Sequence, residues 1–284
     1  MIITKSKILQ AYFQTHFQGD TVIHWNYDPA LFTIGFFSLR WYSLFFLASF
    51  YLSFAYLKRR FINAGYDPFR LDSLLMYMMF STIIGARLGH CFFYEPEVYL
   101  AEPLRILKVW EGGLASHGAA IGIPIGAYLF NRKFKDMNYL WLMDRICTAV
   151  AISGGLIRLG NLMNSEIIGS PTNGKWGFIF DRVDNIPRHP TQIYESVAYF
   201  VIALILHFVV TSEKWGRKRG FALGSFLILV FGFRFCIEFI KDVQVSFERN
   251  LSLDMGQMLS IPAVIIGIIL VVTSFGRIEP ERNS

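Results

Sequence analysis

The sequence predicts an all-α integral membrane protein with about seven transmembrane helices, its N-terminus outside and its C-terminus in the cytoplasm. Three observations lead to this fold class: the composition, the lengths of the apolar runs and the placement of basic residues between them. Of 284 residues, 54% are hydrophobic and 17% are charged, with a mean hydropathy of +0.41. This composition is too apolar for an ordinary soluble enzyme. We therefore expect one polytopic membrane domain over residues 1–284.

The N-terminal segment, 1–30, has aromatic residues among polar neighbours, as in segments that lie at a membrane surface. Seven apolar runs follow, and at 1.5 Å per residue each can cross a hydrocarbon core of roughly 30 Å as a helix. The runs are Leu31–Leu57, Leu71–Phe93, Leu114–Phe130, Tyr139–Leu159, Ile193–Val210, Phe221–Ile240 and Met255–Phe275. The third run is near the minimum length for a span.

Short basic clusters follow the first, third and fifth runs, at Lys58–Arg60, Arg132–Lys135 and Lys214–Arg219. Loops rich in Lys and Arg stay in the cytoplasm, so the intervening loops, or small surface helices, face the periplasmic side. The longest of them, 162–192, is expected to form an outward-facing loop or small head region, because long loops are usually functional or disordered.

The formal net charge of +6 is explained by these basic loops, so no nucleic-acid partner is expected. The three cysteines, Cys91, Cys147 and Cys236, lie inside apolar runs and lack the CxxC or Cys/His spacing of metal and redox sites. The sequence therefore predicts a chain that uses no metal and no cofactor. We expect it to act as a monomer in the lipid bilayer.

The strongest functional signal is a polar cluster at the end of the fourth run, within GGLIRLGNLMNSEIIG at 154–169. A charged side chain at the centre of a membrane helix costs roughly 2.5–3.5 kcal/mol on insertion scales, so such residues are usually functional. On a helix, Arg158, Asn161 and Ser165 share one face, and Asn164 lies beside it. The structural alternative is that these polar side chains only hold neighbouring helices together. That role is common for a lone asparagine, but less so for a cluster that also contains an arginine and a glutamate.

Other charged groups lie within or beside the apolar runs. Arg87 lies in GARLGH of the second run, where structural and functional roles are equally open. His117 begins the third run, and Arg234 and Glu238 lie four residues apart at the end of the sixth, followed by Lys241. Mutual neutralisation is the structural alternative for the Arg234–Glu238 pair. Together the cations predict an anion site at the outer rim, where the abundant anion is a phospholipid head group.

Seven motifs follow one another along nearly the whole chain: RWYSL at 40–44, GARLGH at 85–90, VWEGGLASHGAAIG at 109–122, GGLIRLGNLMNSEIIG at 154–169, RHPTQIYES at 188–196, FRFCIEFIKD at 233–242 and MGQMLSIP at 255–262. Together, and in this order, they resemble the motifs of the bacterial prolipoprotein diacylglyceryl transferase family. The resemblance implies the same seven helices, in the bacterial cytoplasmic (inner) membrane. Two positions depart from the family pattern: Ala119 replaces the second glycine of the usual HGG, and Lys241 stands where arginine is common.

The resemblance implies a reaction. A diacylglyceryl group passes from phosphatidylglycerol to the cysteine thiol of the lipobox in a prolipoprotein signal peptide, forming a thioether and releasing glycerol 1-phosphate. This is the first step of lipoprotein maturation. The family pattern carries over to positions associated with activity or lipid binding, namely Tyr42, His117, Arg158, Asn161, Asn164, Glu166, Gly169, Arg234 and Glu238.

The chemistry of a thiol nucleophile suggests catalytic roles for three of these residues. A thiol of pKa about 8.5 is only slightly ionised at neutral pH, and the thiolate is the nucleophile. His117 is the candidate general base, with an arginine-rich field that lowers the thiol pKa as the alternative. Arg158 and Arg234 are expected to hold the departing phosphate by charge-assisted hydrogen bonds.

The remaining positions are expected to bind phosphatidylglycerol. Asn161 and Asn164 can donate hydrogen bonds to phosphate or head-group oxygens. Glu166 and Glu238 are expected to orient the arginines. Tyr42 and Gly169 enter the set through the resemblance alone.

Two other function classes remain as alternatives. A transporter or channel would have repeated halves and polar residues through the whole bilayer, whereas here they are concentrated in the predicted outer half. An intramembrane protease would have paired aspartates or a serine in a glycine frame within its spans. Asp144 lies at a predicted cytoplasmic end, and Ser116 lacks that frame.

Overall fold

A computed structural model of the chain describes residues 22–35, 37–109, 112–113, 115–242 and 254–277. These residues contain five short strands and nine α-helices. The elements are β1 Val22–Trp25, β2 Ala30–Ile34, β3 Phe37–Arg40, α1 Trp41–Asn63, α2 Arg70–Phe93, α3 Pro96–Ala101, α4 Ser116–Lys133, α5 Tyr139–Asn164, β4 Gly177–Phe180, β5 Pro187–Arg188, α6 Thr191–Thr211, α7 Glu213–Gly216, α8 Phe221–Glu238 and α9 Met255–Ser274.

Five helices in the described residues are long and apolar enough to cross a membrane: α2, α5, α6, α8 and most of α9. The mostly helical, multi-pass membrane architecture is thereby confirmed. The α1 and α4 helices fall on the first and third predicted spans, and the total of seven spans stays a prediction.

The expectation of an all-α chain was wrong in detail, because the first apolar run does not begin as a helix. Residues 30–40 form an antiparallel hairpin of β2 and β3, and the helix starts only at Trp41. Gly35 lies in the hairpin turn with φ +60°, the left-handed region that two-residue hairpin turns require. Part of the predicted surface segment, Val22–Trp25, is also a strand, and 1–21 lie outside the described residues.

The chain divides into two compact units. The larger unit comprises residues 1–53 and 147–284, and the smaller unit comprises residues 54–146. Helices α1 and α5 each contribute to both.

In the smaller unit, glycines bring α2 and α4 into backbone contact. A Cβ built on Gly89 would lie 2.8 Å from the Cα of Gly118, and one built on Gly85 would overlap the Gly118 carbonyl. Small residues allow this close approach of membrane helices. Ala119, the departure from the family pattern, is partly exposed, whereas the retained Gly118 is buried in this contact. The motifs GARLGH and HGAAIG are therefore two sides of one helix contact.

In the larger unit, buried apolar residues of α5, α6 and α8 form a core that includes Ala151, Leu206 and Val230. A small sheet in the order β1-β4-β5 lies by the C-terminal end of α5. The indole Nε1 of Trp25 in β1 donates a 3.0 Å hydrogen bond to the carbonyl of Leu162, which fixes this position. The predicted loop 162–192 thus contains ordered strands beside the polar end of α5.

Candidate active site

The polar end of α5 turns through a strained backbone. Ser165 and Ile167 have φ of +55° and +58°, which is unusual for non-glycine residues and an outlier for a β-branched one. Two side chains from the first turn of α6 hold this stretch: Thr191 Oγ1 donates to the Ile167 carbonyl at 2.8 Å and Gln192 Nε2 to the Glu166 carbonyl at 2.7 Å. Since such conformations cluster at functional sites, the turn marks this region as a candidate site.

The turn directs the Glu166 side chain back toward the last turn of α5. Its Oε1 accepts hydrogen bonds from Asn161 Nδ2 at 3.1 Å and Asn164 Nδ2 at 3.0 Å. Arg158 Nη1 lies 3.3 Å from Asn161 Oδ1 as the donor of a further hydrogen bond. Four residues predicted from the sequence therefore form one network. Glu166 binds the two asparagines, whereas the sequence interpretation expected it to orient an arginine.

Arg158 and Arg234 belong to one chain of ion pairs. Arg158 Nε lies 3.1 Å from Glu195 Oε2, and Glu195 Oε1 lies 3.0 Å from Lys241 Nζ. Lys241 Nζ is also 3.1 Å from Glu238 Oε1, which lies 3.6 Å from Arg234 Nε. The two arginines that were predicted to share a phosphate are thus linked through Glu195, Lys241 and Glu238.

The exposure of these groups differs along the chain of ion pairs. The Glu195 and Lys241 side chains are 2% and 5% exposed, while Arg158 is 15% and Arg234 31% exposed. The chain of ion pairs contains three cations and two carboxylates, and Glu166, which is joined to Arg158 through Asn161, is a third carboxylate of the site. The interior charges are therefore paired, and the two arginines are the more exposed cations, where an anion can bind them.

The end of α8 reaches this cluster through backbone contacts with the loop after α5. Gly169 and Lys241 form an antiparallel bridge, and the Ser170 amide donates to the Ile240 carbonyl at 2.9 Å. Gly169 also donates to the His189 carbonyl at 2.9 Å, and a Cβ at Gly169 would lie 2.6 Å from that oxygen. Gly169 therefore acts through close backbone packing.

Arg188 anchors the same loop from β5. Its guanidinium contacts Asp184 at 2.6 Å and Asp242 at 2.9 Å, and it donates to the Gly169 carbonyl at 3.2 Å. Arg188 thereby ties β5, the Gly169 loop and the residue after Lys241 together.

Tyr42 packs on the α5 helix below the polar cluster. A Cβ at Gly160 would lie 2.9 Å from Tyr42 Cδ2, so a glycine is needed for the ring to approach. Gly154 and Gly155 admit the rings of Tyr199 and Phe200 in the same way. Tyr42 thus contacts the helix that carries Arg158.

His117 is the second residue of α4 and belongs to the smaller unit. Its side chain lies outside what the structure describes, so its role as a base stays a prediction.

The residues leading to α4 are held by Arg87, which is 2% exposed. Arg87 donates to the carbonyls of Arg105 at 2.6 Å, Ile106 at 3.0 Å and Gly112 at 2.5 Å. These contacts favour a structural role for Arg87 over a functional one.

Sequence reasoning missed Glu195 and Gln192. Both lie in RHPTQIYES, and Glu195 is an ionisable residue at the start of an apolar run, the signal that identified Arg158.

Among the described residues, no group of three or more His, Cys, Asp or Glu side chains is arranged to hold a metal ion.

The comparisons with known proteins agree with the motifs. The family model described as prolipoprotein diacylglyceryl transferase matches residues 29–273. A phosphatidylglycerol–prolipoprotein diacylglyceryl transferase of Chloroherpeton thalassium is 46% identical, over 92% of this chain and 98% of its own length. The proteins of the same name from Tolumonas auensis and Bacteroides fragilis are 44% and 42% identical, over 89% and 87% of this chain and 98% and 93% of their own lengths.

The family match covers most of the chain, and each of these relatives is matched over nearly its full length. The family resemblance seen in the motifs is thereby confirmed, and with it the assignment as a transferase of lipoprotein biosynthesis. The chain belongs to the prolipoprotein diacylglyceryl transferase family.

Proposed function

We propose that this chain transfers the diacylglyceryl group of phosphatidylglycerol to the lipobox cysteine of prolipoproteins, at the site formed by α5, α6 and α8. The observation that carries this assignment is the chain of ion pairs from Arg158 to Arg234, in which the two arginines are the more exposed cations. Two exposed guanidinium groups at a predicted membrane surface suit the phosphate of an anionic lipid.

In the reaction, the cysteine thiolate attacks the glycerol carbon that bears the phosphate ester. A carbon–sulfur bond forms, the carbon–oxygen bond breaks, and its electron pair leaves with the phosphate oxygen as glycerol 1-phosphate. The phosphate passes from a diester with one negative charge to a monoester with a second one. Arg158 and Arg234 stabilise this developing charge, because preorganised cations act most strongly where charge grows in the transition state.

The thiol proton must leave before or during the attack. His117 accepts it in this proposal, since an imidazole with an ordinary pKa near 6.5 can take up a proton at neutral pH. Glu195, Lys241 and Glu238 position the two arginines. Tyr42, Asn161, Asn164, Glu166 and Gly169 form the surroundings of the lipid head group.

The site also requires an orientation in the membrane. We place seven spans in the bacterial cytoplasmic membrane with the N-terminus outside and the C-terminus inside, because the basic loops then face the cytoplasm. The polar end of α5 then opens to the outer leaflet, where prolipoproteins and phosphatidylglycerol meet. A single chain carries the whole cluster, so we expect the monomer to be active.

A reconstituted assay tests the function. Purified chain, phosphatidylglycerol vesicles and a synthetic lipobox peptide are incubated, and mass spectrometry follows the peptide and the released glycerol phosphate. We expect a diacylglyceryl mass gain on cysteine and an equal amount of glycerol 1-phosphate. A folded chain that yields neither product would refute the function.

Lysine variants in the same assay test the site. Arg158→Lys and Arg234→Lys keep the charge but lose the planar guanidinium, which can bind a phosphate through two parallel hydrogen bonds. Turnover should therefore fall by about 10²-fold or more, while lipid binding falls less. Arg182→Lys, on an exposed residue of the β4–β5 turn, is the matched control. Normal turnover in both site variants would exclude a shared phosphate clamp.

A further inference from the structure

Three buried polar atoms in neighbouring positions of the site have no hydrogen-bond partner among the described residues. They are Asn164 Oδ1, Ser165 Oγ and Gln192 Oε1. Buried polar atoms in folded proteins are almost always paired, so a group of unpaired ones calls for a ligand or water. Gln192 is the clearest case because its side chain is fully buried.

The orientation of the Gln192 amide is fixed by its other end. Nε2 donates to the Glu166 carbonyl at 2.7 Å, which only the NH₂ group can do, so the unpaired atom is the carbonyl oxygen Oε1. Asn164 follows the same pattern, since its Nδ2 donates to Glu166 Oε1 at 3.0 Å and leaves Oδ1 as an acceptor. Two acceptor oxygens thus belong to amides that are both fixed on Glu166.

These acceptors lie next to the groups that we expect to hold the lipid phosphate. Glu195, one helical turn after Gln192 on the same face of α6, pairs with Arg158. The terminal glycerol of phosphatidylglycerol carries two hydroxyl donors, whose oxygens lie three and four bonds from the phosphate ester oxygen that bears this glycerol. A phosphate on Arg158 therefore brings hydroxyl donors close to amide acceptors.

We propose that Gln192 Oε1, assisted by Asn164 Oδ1, accepts hydrogen bonds from the head-group hydroxyls of phosphatidylglycerol and makes Gln192 a specificity-determining residue. The inference rests on the proposed function, because it takes phosphatidylglycerol as the lipid. A site built to bind a hydroxyl rejects an analogue without it, since its own buried acceptor is then left unpaired.

The test compares phosphatidylglycerol with phosphatidylpropanol, which has the same acyl chains and phosphate charge but no head-group hydroxyl. We expect the wild-type chain to prefer phosphatidylglycerol by about tenfold or more in kcat/KM, and Gln192→Met to lower this preference to roughly twofold or less. Thr211→Val, which removes a hydrogen bond to the His207 carbonyl at the far end of α6, should keep the wild-type preference.

Lipid-induced shifts of the melting temperature keep the test valid if Gln192→Met is inactive. Phosphatidylglycerol should stabilise the wild-type chain more than phosphatidylpropanol does, and the two lipids should stabilise Gln192→Met equally. An unchanged lipid preference in Gln192→Met, or no preference in the wild type, would overturn the proposal and assign the acceptors to bound water. Absence of transfer from both lipids by the wild-type chain would instead refute the proposed function.

Discussion

Glu195 is the carboxylate that joins Arg158 to Lys241 within the chain of ion pairs. Its carboxylate is 2% exposed and lies between Arg158 and Lys241, at 3.1 Å and 3.0 Å. The Arg158 contact is a close ion pair without the alignment of a hydrogen bond, because Glu195 Oε2 has no such partner. Arg158 and the buried Lys241 therefore share one buried negative charge, and its removal leaves Arg158 without its carboxylate partner and Lys241 with Glu238 alone.

Glu195→Gln should for this reason damage both stability and turnover. Breaking a buried ion pair by removing one partner costs roughly 3–5 kcal/mol, and the isosteric glutamine keeps the shape so that the charge is the main change. We expect a fall of several degrees in the melting temperature and a large loss of kcat. Glu213→Gln, on an exposed residue at the other end of α6, is the control. Unchanged melting and kcat in Glu195→Gln would show that the arginines are held by other groups.

His189 should make stability depend on pH. Burial lowers the pKa of His189 below its ordinary value of 6.5, beside the Trp176 ring and 3.5 Å from the Tyr194 hydroxyl. Between the two pKa values the unfolded chain binds a proton that the folded chain does not. The stability contribution is therefore complete above about pH 6.5 and is lost as the pH falls below it.

The measurement is the melting temperature of the purified chain at pH 7.5 and pH 5.5. The wild type should melt lower at pH 5.5, and His189→Gln should reduce this difference. Asn185→Ala, at an exposed and non-ionisable residue of the same loop, should leave the difference unchanged. An equal pH dependence in His189→Gln and in the wild type would exclude His189 as its source.

At the residue scale, the sequence predicted the members of the site better than their partners. Arg158, Asn161 and Asn164 were found because helical spacing brings them together on one element. Glu195 was missed because its contact with Arg158 depends on how α6 packs against α5. The contact of Glu166 with the asparagines was missed for a related reason, since it depends on the left-handed turn at Ser165 and Ile167.

At the scale of elements, apolar run lengths predicted most helices closely. The run Leu71–Phe93 became α2, Arg70–Phe93, and Met255–Phe275 became α9, Met255–Ser274. The predicted start of the first helix was wrong because an apolar hairpin and an apolar helix can have the same composition. The turn residue Gly35 is the only local sign that separates them here. Contacts between glycines of α2 and α4 were likewise outside what run length can indicate.

Arg87 holds the connection from α3 to α4 in place, and the sequence alone did not predict the structure of this connection. Its guanidinium donates to four carbonyls of this connection and lies 5.0 Å from the centre of the Tyr99 ring. A lysine has no planar fork and can satisfy only part of this set. Arg87→Lys should therefore loosen the connection that leads to His117, with faster proteolysis between 102 and 113 and a lower kcat.

The control for this prediction is Arg105→Lys. The Arg105 side chain is 40% exposed, and Arg87 contacts its backbone carbonyl, so the substitution leaves that hydrogen bond in place. Equal proteolysis rates in Arg87→Lys and in the control would mean that the connection is held without the fork.

At the scale of the whole molecule, the two compact units divide the predicted machinery. The larger unit contains Arg158, Arg234 and the residues that bind them, and the smaller unit contains His117 and the Arg87-held connection. Sequence motifs identified both groups, because each motif is local. No local pattern specifies how distant segments pack, so the catalytic role of His117 stays a prediction.

Membrane orientation is the remaining whole-molecule property, and α6 provides a direct test of it. This helix is apolar enough to span and lies between the β4–β5 sheet region and the basic stretch Lys214–Arg219. The positive-inside rule places the basic stretch in the cytoplasm, so the site end of α6 must face outward. Lys175 and Lys214 are exposed residues on the two sides of the helix.

In a chain whose three native cysteines are replaced, Lys175→Cys should react with a membrane-impermeant maleimide in intact cells. Lys214→Cys should react only after the membrane is permeabilised. The opposite pattern would place the arginines at the inner leaflet, where a translocated lipobox cysteine could not reach them. Reaction of both cysteines from outside would show that α6 does not cross the membrane. Outward labelling of Lys175→Cys alone therefore agrees with an arginine site that meets phosphatidylglycerol from the outer leaflet.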